Sequence, residues 1–141
     1  MLKGIPAIMS PELLKTLMEM GHSDEIVLSD ANFPAATCAK SLIRSDGVLL
    51  PLLLETILKF FPLDKTVEHP VVLMAAPPET APAIWEEYRK IIRTAEPDFK
   101  DFEHIDRYQY YERAKNAFAV VISGDTTFRA NILLKKGVVR D

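Results

Sequence analysis

Cysteine is nearly missing from this chain. Cys38 is the only one in 141 residues, so no internal disulfide and no multi-cysteine metal site can form. Histidine is scarce as well: His22, His69 and His104 lie far apart, without the HxH or HExxH spacing of a zinc site. None of the five glycines belongs to a GxGxxG or GxxxxGKS/T run, so a nucleotide-phosphate cradle is unsupported. No window approaches the roughly 18 apolar residues that span a bilayer, and Met-Leu-Lys-Gly-Ile-Pro lacks an apolar core of signal-peptide length. Basic residues are scattered except for Lys135-Lys136, and the net charge is -3, which disfavours nucleic acid. These absences lead to an expected metal-free protein of a reduced, cytoplasmic compartment, with no membrane partner.

What is present is enough apolar material for a core. A hydrophobic content of 48% excludes wholesale disorder, and the length suits one domain over residues 1–141. Ser10-Pro11-Glu12 starts a helix: Ser10 caps, Pro11 fits the first position and Glu12 suits the positive end of the dipole. Leu13, Leu14, Leu17 and Met18 then recur at helical spacing, and Gly21 supplies the stop. Ile26-Val27-Leu28 is too short for a helix and reads as a buried strand. Residues 35–40 read as loop or one helical turn, with Leu42-Ile43 a brief strand and Asp46-Gly47 a turn. Pro51 opens a second helix that Pro62 ends. Val71 to Ala75 is a continuous apolar run, expected as a central strand covered on both faces.

Beyond the rigid Pro77-to-Pro82 connection, a third helix is expected over residues 83–95. A short strand follows over 102–105, then one or two helical turns over 110–115. Strands are expected over 117–123 and 132–134. Strands alternating with helices point to an α/β class, a three-layer α/β/α domain with a mixed, mostly parallel sheet. The loop between the last two strands is too short for a crossover, so one antiparallel pairing is expected there.

In open α/β sheets ligands bind beyond the carboxyl ends of the strands. That rule selects Asp30, Arg107 and the 125–131 loop with Asn131. Carboxylate, planar donor fork and amide together suit hydroxyl groups. Each residue has a second reading: Asp30 as the start of an Asx turn before Pro34, and His22 as a helix-end residue favoured by the dipole. Arg107 reads more simply as a surface ion-pair partner of Asp106 or Glu103, and Asn131 as a turn residue. Tyr108, Tyr110, Tyr111 and Phe118 read as core or interface aromatics, and Cys38 as buried and inert.

The opening Met-Leu-Lys-Gly-Ile, the segment from Ser10 to Lys15, Glu19-Met20-Gly21-His22 and Asp24 to Val27 form a distinctive set. Asp30-Ala31-Asn32-Phe33-Pro34, Tyr111-Glu112-Arg113-Ala114 and Asn131 to Val138 extend it. Together they resemble, over essentially the whole chain, the small family that holds fucose mutarotase and D-ribose pyranase. The resemblance implies a cofactor-free isomerase acting on the anomeric centre of a reducing monosaccharide, L-fucose above others. It also implies a ring-shaped homo-oligomer, a homodecamer, with pockets at subunit interfaces.

In that family's pattern His22 is the general acid or base, and Asp30 serves in catalysis and sugar binding. Arg107 and the 129–131 segment (Arg129, Ala130 and Asn131) complete the pocket. The usual Tyr two residues before the Asn is here Arg129, which leaves Phe128 to supply an apolar face and Arg129 to donate to hydroxyls. Within the class, the rival is pyranose–furanose interconversion of ribose. From another class, the rival is a non-catalytic sugar-binding or assembly module, with Arg129 as its best argument. One difficulty is geometrical: a straight strand over 26–29, at ~3.3 Å per residue, puts His22 and Asp30 at opposite ends.

Overall fold

The computed structural model describes residues 1–140. Helix α1 (Pro11–Glu19) begins as its sequence dictates: the Ser10 hydroxyl accepts the Leu13 N–H at 3.1 Å and Pro11 sits in the first turn. Leu13 and Leu17 are buried and Met18 is exposed, so the helix is apolar on one stripe only. Its stop differs from expectation. Gly21 takes no left-handed conformation; Met20 ends the helix in an extended one, and the left-handed residue is Ser23, at φ 73°. The Asp24 carboxylate accepts the Gly21 N–H at 2.7 Å, and this local bond closes the turn in place of a glycine cap.

The remaining elements are β1 (Glu25–Ser29), α2 (Ala35–Cys38), β2 (Leu42–Ser45), α3 (Leu50–Leu58), β3 (Val71–Met74), α4 (Ile84–Ala95), β4 (Glu103–Ile105), α5 (Arg107–Asn116), β5 (Ala119–Ser123) and β6 (Ile132–Lys135), with a 3-10 turn at Pro78–Thr80. Helix α3 stops short of Pro62, yet Phe61 beyond its end is still buried. Helix α5 is longer than expected because Asp106 and Gln109 form a capping box: the Asp106 carboxylate accepts the Tyr108 and Gln109 N–H groups. That signature, Asp-x-x-Gln, is local to the sequence.

One six-stranded sheet runs in the order β2-β5-β1-β6-β3-β4. All neighbours pair parallel except β6, which is antiparallel to both β1 and β3. The expected antiparallel strand is therefore β6, but its partner is not β5. Strand β1 lies between them, in register Val27↔Val120 on one side and Val27↔Leu133 on the other. The loop after β5 is long enough to pass over β1, and the apolar centre of β1, Ile26-Val27-Leu28, gains from neighbours on both sides.

Alternation along the strands sorts side chains between two layers. Ile26, Leu28, Leu73 and Ile132 face α1, α3 and α4. Val27, Val72, Val120 and Leu133 face α2 and α5. The result is three layers, α/β/α. Because β1, β3, β4 and β5 run the same way, Asp30, Arg107 and the 124–131 loop all emerge on one sheet edge, and His22 on the other.

Candidate active site

At the first edge, His22 precedes β1 and its side chain is 44% exposed. Its Nε2 lies 3.1 Å from Oδ1 of Asp64, which is almost fully buried. An ionised carboxylate only accepts, so Nε2 carries the proton and Nδ1 is left free at the surface. Asp64 is itself held: Thr66 donates both its N–H, at 2.9 Å, and its hydroxyl, at 2.7 Å, to Oδ1. Burial raises the Asp64 carboxyl, but the Thr66 bonds and His22 outweigh it and leave it below its ordinary value. Local pairing fixes both partners. The Ser23 N–H bonds the Lys136 carbonyl, and the Leu63–Lys136 bridge seats the Asp64 segment beside it. Gly137 is required there, since a Cβ would collide with the Leu63 carbonyl. A cavity of about 300 Å³ adjoins Asp64, lined also by Thr66, Glu96, Phe99 and Lys100.

At the second edge, Asp30 is 9% exposed. Its Oδ1 accepts the Asn32 N–H at 2.8 Å and its own N–H bonds Oδ1 of buried Asn131 at 2.8 Å. The Asx turn thus exists, and it does not compete with a binding role, because it aims the carboxyl. Burial raises the Asp30 carboxyl above its usual 3.8; bonds from Asn32, Phe33 and Asn131 oppose this, and nearby Asp125 adds to the rise. Asp125 is a second buried carboxyl, and it accepts from Leu50 and Thr127, at 3.1 and 3.0 Å.

The sign for stability follows from linkage. The folded state holds the Asp30 proton to higher pH than the unfolded chain, so stability declines as pH rises from 3.8 through the raised folded value. Asp30→Asn is therefore expected to raise the melting temperature at pH 7 by ~2–5 °C. The gain should shrink in scans taken toward pH 4. A variant that melts lower than wild type at pH 7 would show that the charge is not a burden.

Two residues of α4 fix the tip of the 124–131 loop. Trp85 Nε1 donates to the Arg129 carbonyl at 2.9 Å, and the Tyr88 hydroxyl to that of Ala130 at 2.7 Å. They hold Arg129 at φ 54°, a left-handed conformation that is unusual outside glycine. Neither Trp85 nor Tyr88 was singled out by the sequence, nor was Asp64. For Asp64 the only local signal was Asp-x-Thr, an Asx-turn pattern.

Arg107 opens α5 after β4 and is exposed. Its partner is neither Asp106 nor Glu103: it donates to the Tyr108 hydroxyl at 2.8 Å, and its guanidinium lies over that ring. Arg107 does not help to keep Asp30 ionised within one chain, since the Asp30 carboxyl is raised and Arg107 is not among the charges acting on it. The start of α5 is nevertheless near the Asp30 turn, because Phe33 packs edge-on against Tyr110 and Tyr111 at 6.1 and 5.6 Å. Arg113 anchors the helix by pairing with Glu25 and Glu103, at 2.7 and 3.2 Å.

The structure therefore groups Asp30, Ala130 and Asn131, with Arg129 and Arg107 on the same edge. It does not bring His22 to them. The four residue steps from Glu25 to Ser29 separate the two ends by ~13 Å, and the Ser23–Lys136 pairing holds His22 away. Among the described residues no group of three or more His, Cys, Asp or Glu is disposed to hold a metal ion. No helix among the described residues is long and apolar enough to cross a membrane.

The chain is similar to known proteins in both sequence and fold. The chain is 47% identical to the fucose mutarotase of Homo sapiens, over 98% of this chain and 94% of that protein. The fold superimposes with a TM-score of 0.94 on the crystal structure of the fucose mutarotase from Streptococcus pneumoniae in complex with L-fucose, 51% identical, covering 99% of this chain and all of that one. Bacillus subtilis RbsD complexed with D-ribose shares the fold at a TM-score of 0.72 and 23% identity, over 99% of this chain and 100% of that one. The profile of the RbsD / FucU transport protein family matches residues 3–139, and the chain belongs to that family.

Proposed function

We propose that this chain interconverts the α and β anomers of a reducing monosaccharide, L-fucose first, by acid–base opening and closing of the sugar ring without a cofactor. The observation that supports it most is the His22–Asp64 pair, an imidazole fixed in one tautomer by a buried acceptor with its second nitrogen free at the surface. Its likeness to two fucose mutarotases adds to that.

Mutarotation moves two protons. One leaves the anomeric hydroxyl while another reaches the ring oxygen, the C1–O5 bond breaks, and the open aldehyde rotates before closing on its other face. An imidazole suits transfer in both directions near neutral pH, and such a group typically contributes ~10²–10⁴-fold. His22 would exchange the proton through Nδ1. Asp30 would hold a hydroxyl or act as the complementary acid or base. Arg107 and the 129–131 segment would orient the sugar.

A pocket that takes His22 from one copy and Asp30 from another makes the active form an oligomer, and the family resemblance implies that it is a ring-shaped homodecamer. Leu49, Leu52 and Met18, exposed by 60%, 49% and 79%, support such contacts. A cytoplasmic location accords with a lone buried cysteine.

Saturation-transfer NMR on the anomeric protons of L-fucose, D-ribose and D-galactose tests the reading. Transfer between the α and β pyranose signals of L-fucose is expected on adding protein. Binding without transfer would indicate a sugar-binding module, and transfer only into furanose signals a pyranase. In the same assay Asp64→Asn is expected to lower turnover roughly 10²-fold, the scale for a catalytic group misplaced by about 1 Å. An unchanged turnover in that variant would remove Asp64 from the mechanism.

A further inference from the structure

Two surfaces of the chain match each other in chemistry, and one is the tail beyond β6. The Gly137 N–H is tied to the Pro62 carbonyl. From there Val138 and Val139 stand 45% and 71% exposed, with Arg140 exposed after them. Residues 135–140 hold three basic residues and no acidic one. Adjacent exposed apolar side chains beside basic ones suit contact with a surface that is apolar and acidic.

Such a surface is the groove of about 870 Å³ between the first turns of α3 and α4. Leu49, Leu52, Ile84 and Ile91 supply its apolar wall and Glu55 and Glu87 its charge, with no basic residue in its lining. Lys59 and Lys90 line the next stretch of the same seam, so the acidic end is the one nearer the sugar edge. Arg44, Arg89 and Arg113 pair with carboxylates of their own chain. Among the described residues Glu55, Glu87 and Arg140 do not.

Position brings the two surfaces together. The groove opens beside Asp30: the Asp125 carbonyl accepts the Ala31 N–H at 2.7 Å, and its carboxylate accepts the Leu50 N–H at 3.1 Å, where α3 begins. The tail leaves from beside His22, since Lys136 pairs with Ser23 and Asp24. Within one chain these places lie on opposite sheet edges. Where His22 of one copy completes the Asp30 pocket of another, three residues beyond Lys136 span ~10 Å and carry Val139 to the mouth of the groove.

From this we propose that residues 137–140 of one copy seat in the α3–α4 groove of a second copy. Val138 and Val139 lie against Leu49, Leu52 and Ile84, and Arg140 meets Glu55 and Glu87. The proposal rests on the two-copy pocket of the mutarotase reading and names the contact that holds that pocket closed. It joins unlike patches, the kind of contact that generates a ring when its rotation closes. The valines supply affinity, and the charges set register and partner choice.

The test follows sedimentation and anomeric exchange on the same samples of the full chain. Val139→Asp is expected to raise the concentration of half-dissociation at least about 10-fold, with exchange lost as the assembly dissociates. Arg140→Glu and Glu87→Lys should each weaken assembly, and the two together should recover most of the loss, a pattern that misfolding does not produce. Leu49→Cys and Val139→Cys chains, co-refolded and oxidised, should give a disulfide-linked dimer that neither gives alone. A monomeric wild type, a wild-type midpoint in Val139→Asp, or the absence of the linked dimer overturns the proposal. Wild-type protein that assembles and cross-links yet exchanges no sugar removes the mutarotase reading and leaves this contact standing.

Discussion

His22→Ala is expected to slow anomeric exchange of L-fucose by ~10²–10⁴-fold. The imidazole is half exposed, and its pairing with the buried Asp64 carboxylate fixes its tautomer. Its loss should fall on turnover more than on sugar binding, because the residues proposed to hold hydroxyls lie on the other sheet edge. The fold should survive, since the side chain is nearly half exposed and its removal opens no core cavity. Asp64 keeps its Thr66 bonds in the variant. Saturation-transfer rates, compared at matched oligomer size, check the result. Exchange at the wild-type rate in a folded His22→Ala protein would sink the assignment and leave Asp64 a structural carboxylate.

Mixing two dead proteins should restore activity. His22→Ala and Asp30→Asn are each expected to abolish most exchange. If every pocket takes its His22 from one copy and its Asp30 from another, a mixed ring contains pockets in which both are intact. After co-refolding at equal amounts, half of the copies carry the native His22 and half the native Asp30. With random assembly about a quarter of the pockets are whole, and about a quarter of wild-type activity returns. A double variant mixed with wild type provides the control for assembly. Recovery to no more than the sum of the two parents would place both residues in one copy's pocket. The chain would then have to fold back across ~13 Å of strand, against the Ser23–Lys136 pairing that holds the His22 turn in place.

Local chemistry made the secondary structure legible. Ser10-Pro11-Glu12 starts α1 for reasons of capping and dipole that need no tertiary contact. The same holds for the uninterrupted apolar runs of β1, β3 and β5, which announce strands covered on both faces. Where reading failed, the competing cause is identifiable. Gly21 has the residue type of a cap, but Asp24 closes that turn by accepting its N–H. Helix α5 is longer than its apolar spacing predicts because its interior is mostly polar, and a polar helix announces itself through its cap rather than its periodicity.

The strand order was beyond local reading. That β1, and not β5, receives β6 depends on which apolar edges fill one another. The local pattern says only that each strand is buried.

The site divides in the same way. Asp30 and Arg107 follow strand ends, so the general rule for open sheets found them from order alone, and Asn131 precedes β6 on the same edge. His22 was visible as an imidazole at a helix end, a placement that on its own suits a dipole as well as a proton transfer; family resemblance singled it out. Asp64 was invisible because its meaning lies in a bond to a residue 42 positions away. The bonds from Trp85 and Tyr88 to the 129–130 carbonyls, 44 and 42 positions apart in the chain, escaped notice for the same reason. Residue types, capping and apolar runs follow from neighbours in sequence, and they suffice for the elements, the α/β class and the list of candidates. Which candidates meet is decided by hydrogen bonds and packing between distant segments. Tertiary structure alone tied Asp30 to Asn131, gave His22 its carboxylate, and set the two groups on opposite edges of one sheet.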